Sequence, residues 1–176
     1  MTLPRGFAVR PAAADELGVL PAIEREAGGR FAAIASLADV PEVLMPPGAL
    51  ADALARGQVW VAVAPNGTVV GFAYADLIDG AVHLEELDVL EAFGRRGLGR
   101  ALVAAVIADA RRRGLTAVTL TTFRDVPWNA PFYARLGFRI LPADALTPGL
   151  TAIFALEAAR GLPRELRVVM RCDLDR

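Results

Sequence analysis

Three strand-like stretches joined by tight-turn signals run straight into a glycine–arginine loop and an amphipathic helix, and this succession restricts the fold more than any other feature of the chain. Residues 59–64 are rich in β-branched and aromatic side chains, which suit a pleated surface. Pro65-Asn66-Gly67-Thr68 follows as a hairpin signal, since Asn-Gly tolerates the positive φ that tight turns need. Residues 69–77 return as a second strand, Asp79-Gly80 turns again, and 81–89 form a third. Connections this short dictate an antiparallel meander. The loop Gly94-Arg95-Arg96-Gly97-Leu98-Gly99 then leads into a helix whose Leu98, Leu102, Val106 and Ala110 recur at the helical period, with Val103 and Ile107 beside them. Arg111, Arg112 and Arg113 complement the dipole at its end, and Gly114 stops it. Residues 117–123 read as another strand, and a helical crossover of right hand makes it parallel to its predecessor.

The flanking elements are less sharply marked. Residues 7–11 read as a first strand, and Asp15 opens a helical stretch through Leu17, Leu20 and Ile23 with Pro21 expected as a kink. The region 28–56 mixes helical pieces with Pro41, Pro46, Pro47 and Gly48. Pro131 places a helix start nearby, with Asn129 as N-cap and Gly137 as C′ residue. A strand over 138–141, a helix over 150–160 and a closing strand over 165–172 complete the order β-α-α-β-β-β-α-β-α-β-α-β. The expectation is an α/β (α+β) fold in one domain, 1–176.

Composition excludes several classes. At 55% hydrophobic and 22% charged residues, the 176-residue chain is too apolar for wholesale disorder. Its 19 basic residues, all Arg, against 20 acidic ones give a net charge of -1, with no excess to draw nucleic acid or an anionic membrane. A single cysteine, Cys172, and a single histidine, His83, leave no intrachain disulfide and no Cys/His metal cluster. The start Met1-Thr2-Leu3-Pro4-Arg5-Gly6 lacks the apolar run of a signal peptide, and the other apolar runs are short, so the expected location is the cytoplasm, without a membrane span.

The loop 94–99 joins a strand to a helix. Unpartnered N–H groups and the positive dipole end make such a junction an anion site, glycines allow close approach, and Arg95, Arg96 and Arg100 add charge-assisted contacts. Three phosphate motifs compete. A P-loop would need Lys and Ser/Thr where Arg100-Ala101 stand, and a dinucleotide fingerprint would need a small residue where Leu102 stands. A metal-free pyrophosphate cradle fits, and so does a solvated glycine-rich loop.

In order along the chain, His83-Leu84-Glu85-Glu86-Leu87-Asp88-Val89, then Arg95-Arg96-Gly97-Leu98-Gly99-Arg100, then Asn129-Ala130-Pro131-Phe132-Tyr133-Ala134-Arg135-Leu136-Gly137-Phe138 resemble the GCN5-related N-acetyltransferase (GNAT) superfamily. Gly94 occupies the family's usual Gln/Arg place, with Arg95 one residue later. The resemblance implies a mixed, mostly antiparallel sheet splayed between its fourth and fifth strands, with helices on both faces. It implies acetyl-CoA as co-substrate, no metal, and a small-molecule or peptide amine as acceptor; dimers are common in the family. Carried over, Leu87, Asp88 and Val89 hold the pantetheine through their backbone, residues 95–100 hold the pyrophosphate, Asn129 lies near the pantetheine, and Phe132 and Tyr133 lie near the thioester. A regulatory CoA-binding module of the same fold is the alternative.

An ordinary ammonium with pKa about 10.4 is deprotonated roughly once in 2500 molecules at pH 7, a penalty of about 4.6 kcal/mol that a base or a neutral-amine site must offset. Plain alternation puts His83, Glu85, Leu87 and Val89 on one face of the strand and Leu84, Glu86 and Asp88 on the other. The family's base stands four or six residues before the valine place, here Glu85 or His83, with Glu86 taking over if a bulge shifts the register. Tyr133 matches the family's acid for the leaving thiolate; as an aromatic on a helix it equally suits a core. Trp60 and Trp128 read as packing residues, with Trp128 a candidate substrate wall. Glu24 and Glu26 favour a basic acceptor, or simply a solvated helix face.

Overall fold

A computed structural model describes residues 3–46 and 48–174; Pro47, read above as part of the irregular region, lies outside them, as do Met1 and Thr2. The elements are β1 (Ala8–Pro11), α1 (Leu20–Gly28), α2 (Ala49–Ala55), β2 (Val59–Val63), β3 (Val69–Ile78), β4 (Ala81–Val89), α3 (Leu98–Arg112), β5 (Ala117–Phe123), α4 (Ala130–Ala134), β6 (Arg139–Ile140), α5 (Pro148–Ala159) and β7 (Arg167–Asp173). Their order is the one that periodicity and turn chemistry predict. Gly67 adopts φ +85° in the first hairpin, where Thr68 N–H donates to Asn66 Oδ1 at 3.1 Å. Asp79 and Gly80 both take positive φ in the second, as a primed turn requires.

One expectation fails early in the chain. Pro21 does not kink a helix that begins at Asp15: a 3₁₀ stretch, Ala14–Val19, precedes it and Pro21 lies in the first turn of α1. There its missing N–H costs no hydrogen bond.

The strands form one sheet in the order β1-β2-β3-β4-β5-β7-β6, antiparallel throughout except for the β4–β5 pair. On one face, Leu98, Leu102, Val103 and Val106 of α3, with Ala130 and Tyr133 of α4, pack on Ala73, Val82, Leu84 and Leu120. On the other face, Leu20 and Ile23 of α1 and Ala53 of α2 cover Val61, Phe72 and Tyr74. Leu150 of α5 packs on Val169 of β7. Helices therefore cover both faces of a sheet that is splayed between β4 and β5, as the resemblance implies.

Splay and bulge set the site. The β4–β5 ladder pairs Val82 with Val118, His83 with Thr119 and Leu84 with Leu120, and ends there. β4 nevertheless continues to Val89 against β3, while β5 continues to Phe123 against β7. Across the β3–β4 ladder Ala75 faces Leu84 and Tyr74 faces Glu86, so Glu85 is an extra, unpaired residue. This bulge overturns the simple alternation read from the sequence. His83, Glu86 and Asp88 share the face of Asp76, Tyr74 and Phe72, while Leu84 and Leu87 share the opposite face with Ala75 and Ala73.

Candidate functional site

Beyond Leu84 the β5-facing edge of β4 has no strand partner, and a cavity of about 1580 Å³ opens along it. The cavity runs from the loop before α3, past β4, to α1, the irregular stretch after it, and α5. Residues of the irregular region 28–56 and of the stretch 141–162 both contribute to its walls.

Its first end is built for an anion. Arg95 takes φ +59° and Gly97 φ +82°, turning the backbone into α3, whose first bond is Ala101 N–H to Gly97 O at 3.0 Å. The N–H groups of Leu98, Gly99 and Arg100 precede that bond and face the loop with the positive end of a 15-residue helix dipole. Arg95, Gly97, Leu98, Gly99 and Arg100 line the cavity. Arg96 is placed differently from its neighbours: its guanidinium stacks 5.7 Å from the Phe7 ring and 5.5 Å from Phe93, and donates to Ala92 O at 3.3 Å. A Cβ on Gly99 would stand 3.6 Å from the Phe132 ring, an ordinary contact. The left-handed turn at Gly97, not Gly99, is therefore where the backbone itself favours glycine.

The other end is acidic. Glu85, at the bulge, is exposed to the cavity, yet the walls around it and the nearby Asp76 and Glu157 push its pKa up to about 7 against the pull of Arg160. Burial and the carboxylate of Glu24 raise Glu86 to about 7, although its Oε1 accepts the Leu87 N–H at 3.2 Å. Asp88 is 8% exposed, and burial with Glu86 and Glu24 for neighbours lifts it to about 9. Asp88 Oδ2 is fully buried and has no hydrogen-bond partner among the described residues. Glu24 of α1, itself buried, is raised by desolvation and accepts the Met45 N–H at 2.7 Å.

Tyr133 lies where α4 meets the cavity, edge-on to Phe132 (5.1 Å) and Phe138 (5.7 Å). Burial and the nearby Glu86 and Asp88 raise its pKa, so the phenol keeps its proton. Its hydroxyl makes no hydrogen bond among the described residues. His83 is placed away from the cavity lining: it is 1% exposed, with Nδ1 2.9 Å from Thr119 Oγ1, and burial lowers its pKa to about 4. Asn129 precedes α4 but does not cap it with its side chain; Nδ2 donates to Thr122 Oγ1 at 2.7 Å and the buried Oδ1 is unpaired.

Residues that no local pattern singled out complete the wall. Arg167 forms a two-pronged pair with Glu157 (2.9 and 3.1 Å), donates to Thr121 Oγ1 at 3.0 Å and stacks on Phe123 at 4.9 Å. These groups come from β5, α5 and β7, and only the tertiary fold unites them. Trp128 forms the adjoining wall, with Arg30 5.4 Å over its ring, as its position in the sequence suggested.

A family model for the acetyltransferase (GNAT) family matches residues 23–138. Among solved structures the fold is similar to N-acetylglutamate synthase from Neisseria gonorrhoeae complexed with coenzyme A and N-acetyl-glutamate, at TM-score 0.71 and 16% identity over 97% of this chain. This chain spans only 35% of that protein's length. It is also similar to the PaiA N-acetyltransferase from Thermoplasma acidophilum in complex with coenzyme A, with TM-score 0.67, 15% identity, and 96% and 99% of the two chains covered. The ribosomal-protein-S18-alanine N-acetyltransferase from Escherichia coli gives TM-score 0.66 and 15% identity over 97% of this chain and 95% of its own.

Proposed function

The chain belongs to the acetyltransferase (GNAT) family, and from that premise we propose that it is an N-acetyltransferase that moves the acetyl group of acetyl-CoA directly onto a primary amine. The observation that carries this reading is the end of the β4–β5 ladder at Leu84, which leaves an open strand edge between an anion-binding helix start and a set of carboxylates.

The residues fit the co-substrate. The N–H groups of Leu98, Gly99 and Arg100, with the guanidinium groups of Arg95 and Arg100, suit a pyrophosphate. The β5-facing edge of β4 at Leu87, Asp88 and Val89, which has no strand partner on that side, suits the amide-bearing pantetheine arm, which pairs as a strand would. Phe132 forms an apolar wall between the two, and Asn129 offers its unpaired Oδ1 nearby. Acetyl-CoA supplies an activated acyl group as a thioester, and the chain's own residues do the rest.

Glu85 is the preferred base. With a pKa near 7 and direct access to cavity water, it takes a proton from the incoming ammonium at neutral pH and leaves a nucleophilic amine. Glu86, turned into the cavity by the bulge, is the second candidate; His83, buried against Thr119, is poorly placed for the role. Tyr133 keeps a proton that it donates to the departing thiolate. No covalent acyl-enzyme is needed.

The test is thiol release from acetyl-CoA with a panel of primary amines, alongside calorimetry with CoA. Binding of CoA and acetylated product are the expected results. Binding without turnover of any amine would instead favour a CoA-binding regulatory module.

A further inference from the structure

The carboxylates at the inner end of the cavity outnumber the cations that answer them. Arg167 is committed to Glu157, and Arg56 reaches Asp76 at 3.3 Å. Glu24, Glu85, Glu86 and Asp88 form no ion pair among the described residues. Glu85 is accounted for as the base. The other three converge: Glu86 and Asp88 share one face of β4 through the bulge, and Glu24 comes from α1, which packs on that face. A second observation points to a ligand. Asp88 is more than nine-tenths buried, lines the cavity, and its Oδ2 has no partner. A buried carboxylate without hydrogen bond or cation is costly, and a fold tolerates it where something outside the chain satisfies it.

We infer that the acceptor carries a second cationic nitrogen besides the one that is acetylated, as an aliphatic diamine or polyamine does, and that Glu24, Glu86 and Asp88 receive it. The inference rests on the acetyl-transfer reading and narrows its substrate class. An organic ammonium fits better than a metal ion, since among the described residues no three acidic, His or Cys groups are arranged to hold one. The raised pKa values of all three carboxylates are those of a site short of counter-charge: burial is the largest cause for each, and the charges of Arg25, Arg30 and Arg167, with the Met45 and Leu87 N–H groups, oppose it without overcoming it. A monoamine would satisfy the base and leave Asp88 unanswered; a diamine satisfies both.

The experiment compares matched acceptors, 1,4-diaminobutane against butylamine, in the wild type, Asp88→Asn and Glu24→Gln, reading the ratio of the two kcat/KM values. A ratio makes the result independent of any general loss of rate. The expected wild-type preference for the diamine is at least tenfold, falling toward unity in both variants. Equal use of both amines by the wild type, or a preference that survives both substitutions, overturns the inference while leaving acetyl transfer intact. If no amine is turned over, calorimetry of 1,4-diaminobutane into the CoA-bound protein decides. Heat that Asp88→Asn abolishes upholds the cation site although the acetyl-transfer reading fails, and absence of heat overturns both.

Discussion

Tyr74 faces Glu86 across the β3–β4 ladder, not the Glu85 that unbroken pairing from Ala75 and Leu84 would bring, because Glu85 bulges out between Leu84 and Glu86. That single extra residue lets two successive carboxylates line the cavity. Glu85 stands at the bulge with access to the cavity, and Glu86 is carried onto the same strand face as Asp88.

Glu85 at pKa about 7 predicts that kcat/KM falls as pH drops below about 7, since the protonated carboxyl no longer accepts a proton. Glu85→Gln is expected to lower kcat by about 10²–10⁴-fold and remove that acidic limb. A pH–rate profile that keeps its limb in Glu85→Gln and loses it in Glu86→Gln moves the base one residue along.

His83→Ala serves as the contrast. The ring fills buried space and its Nδ1 meets Thr119 Oγ1 at 2.9 Å, so removal should cost about 1–3 kcal/mol of stability. Denaturant titration checks the loss, and the acidic limb should stay where it is. A displaced limb would make His83 the base.

Tyr133→Phe keeps the edge-on contacts to Phe132 and Phe138 and removes only the hydroxyl. The expected result is a kcat at least tenfold lower with CoA affinity unchanged, measured by steady-state kinetics and calorimetry. Undiminished kcat would reduce Tyr133 to a packing residue.

Two glycines of the cradle should respond differently. Gly97→Ala places a Cβ in the left-handed region at φ +82°, at about 1–2 kcal/mol, and should loosen the turn and CoA binding together. Gly99→Ala meets only the Phe132 ring at 3.6 Å and should leave the melting temperature nearly unaltered. Any loss of CoA affinity in that variant then reports crowding of the N–H cradle itself.

Stability should fall as pH rises from about 6.5 to 9 in the ligand-free protein. Asp88 has a folded pKa of about 9 against an ordinary 3.8, so the folded state holds the extra proton between those values and loses its advantage as pH climbs. His83, lowered to about 4 from 6.5, acts with the opposite sign, but only below 6.5. Asp88 faces Glu86, Glu24 and Arg30, and Asp88→Asn should flatten the slope of melting temperature against pH in this window.

The local features of this protein were legible in its sequence. Hairpin turns at Asn66-Gly67 and Asp79-Gly80, the amphipathic period of α3, its arginine-rich end and the glycine–arginine loop all depend on neighbours within a few residues, and the structure has each where its pattern stands. Motif order also pointed to the family and the splayed sheet, and singled out Tyr133 and Asn129 beside the cavity. What depended on partners distant in the chain was decided only by the tertiary structure. The bulge at Glu85 arises from pairing with β3, Arg96 is drawn to Phe7 and Phe93, and Asn129 turns to Thr122 instead of capping its helix. β7 slips between β5 and β6 and brings Arg167 to Glu157, while α1 carries Glu24 to Glu86 and Asp88, 62 and 64 positions further along the chain. Period and turn chemistry act over one helical turn or one hairpin; register, burial and the charge a carboxylate keeps are set by whatever the folded chain packs against it.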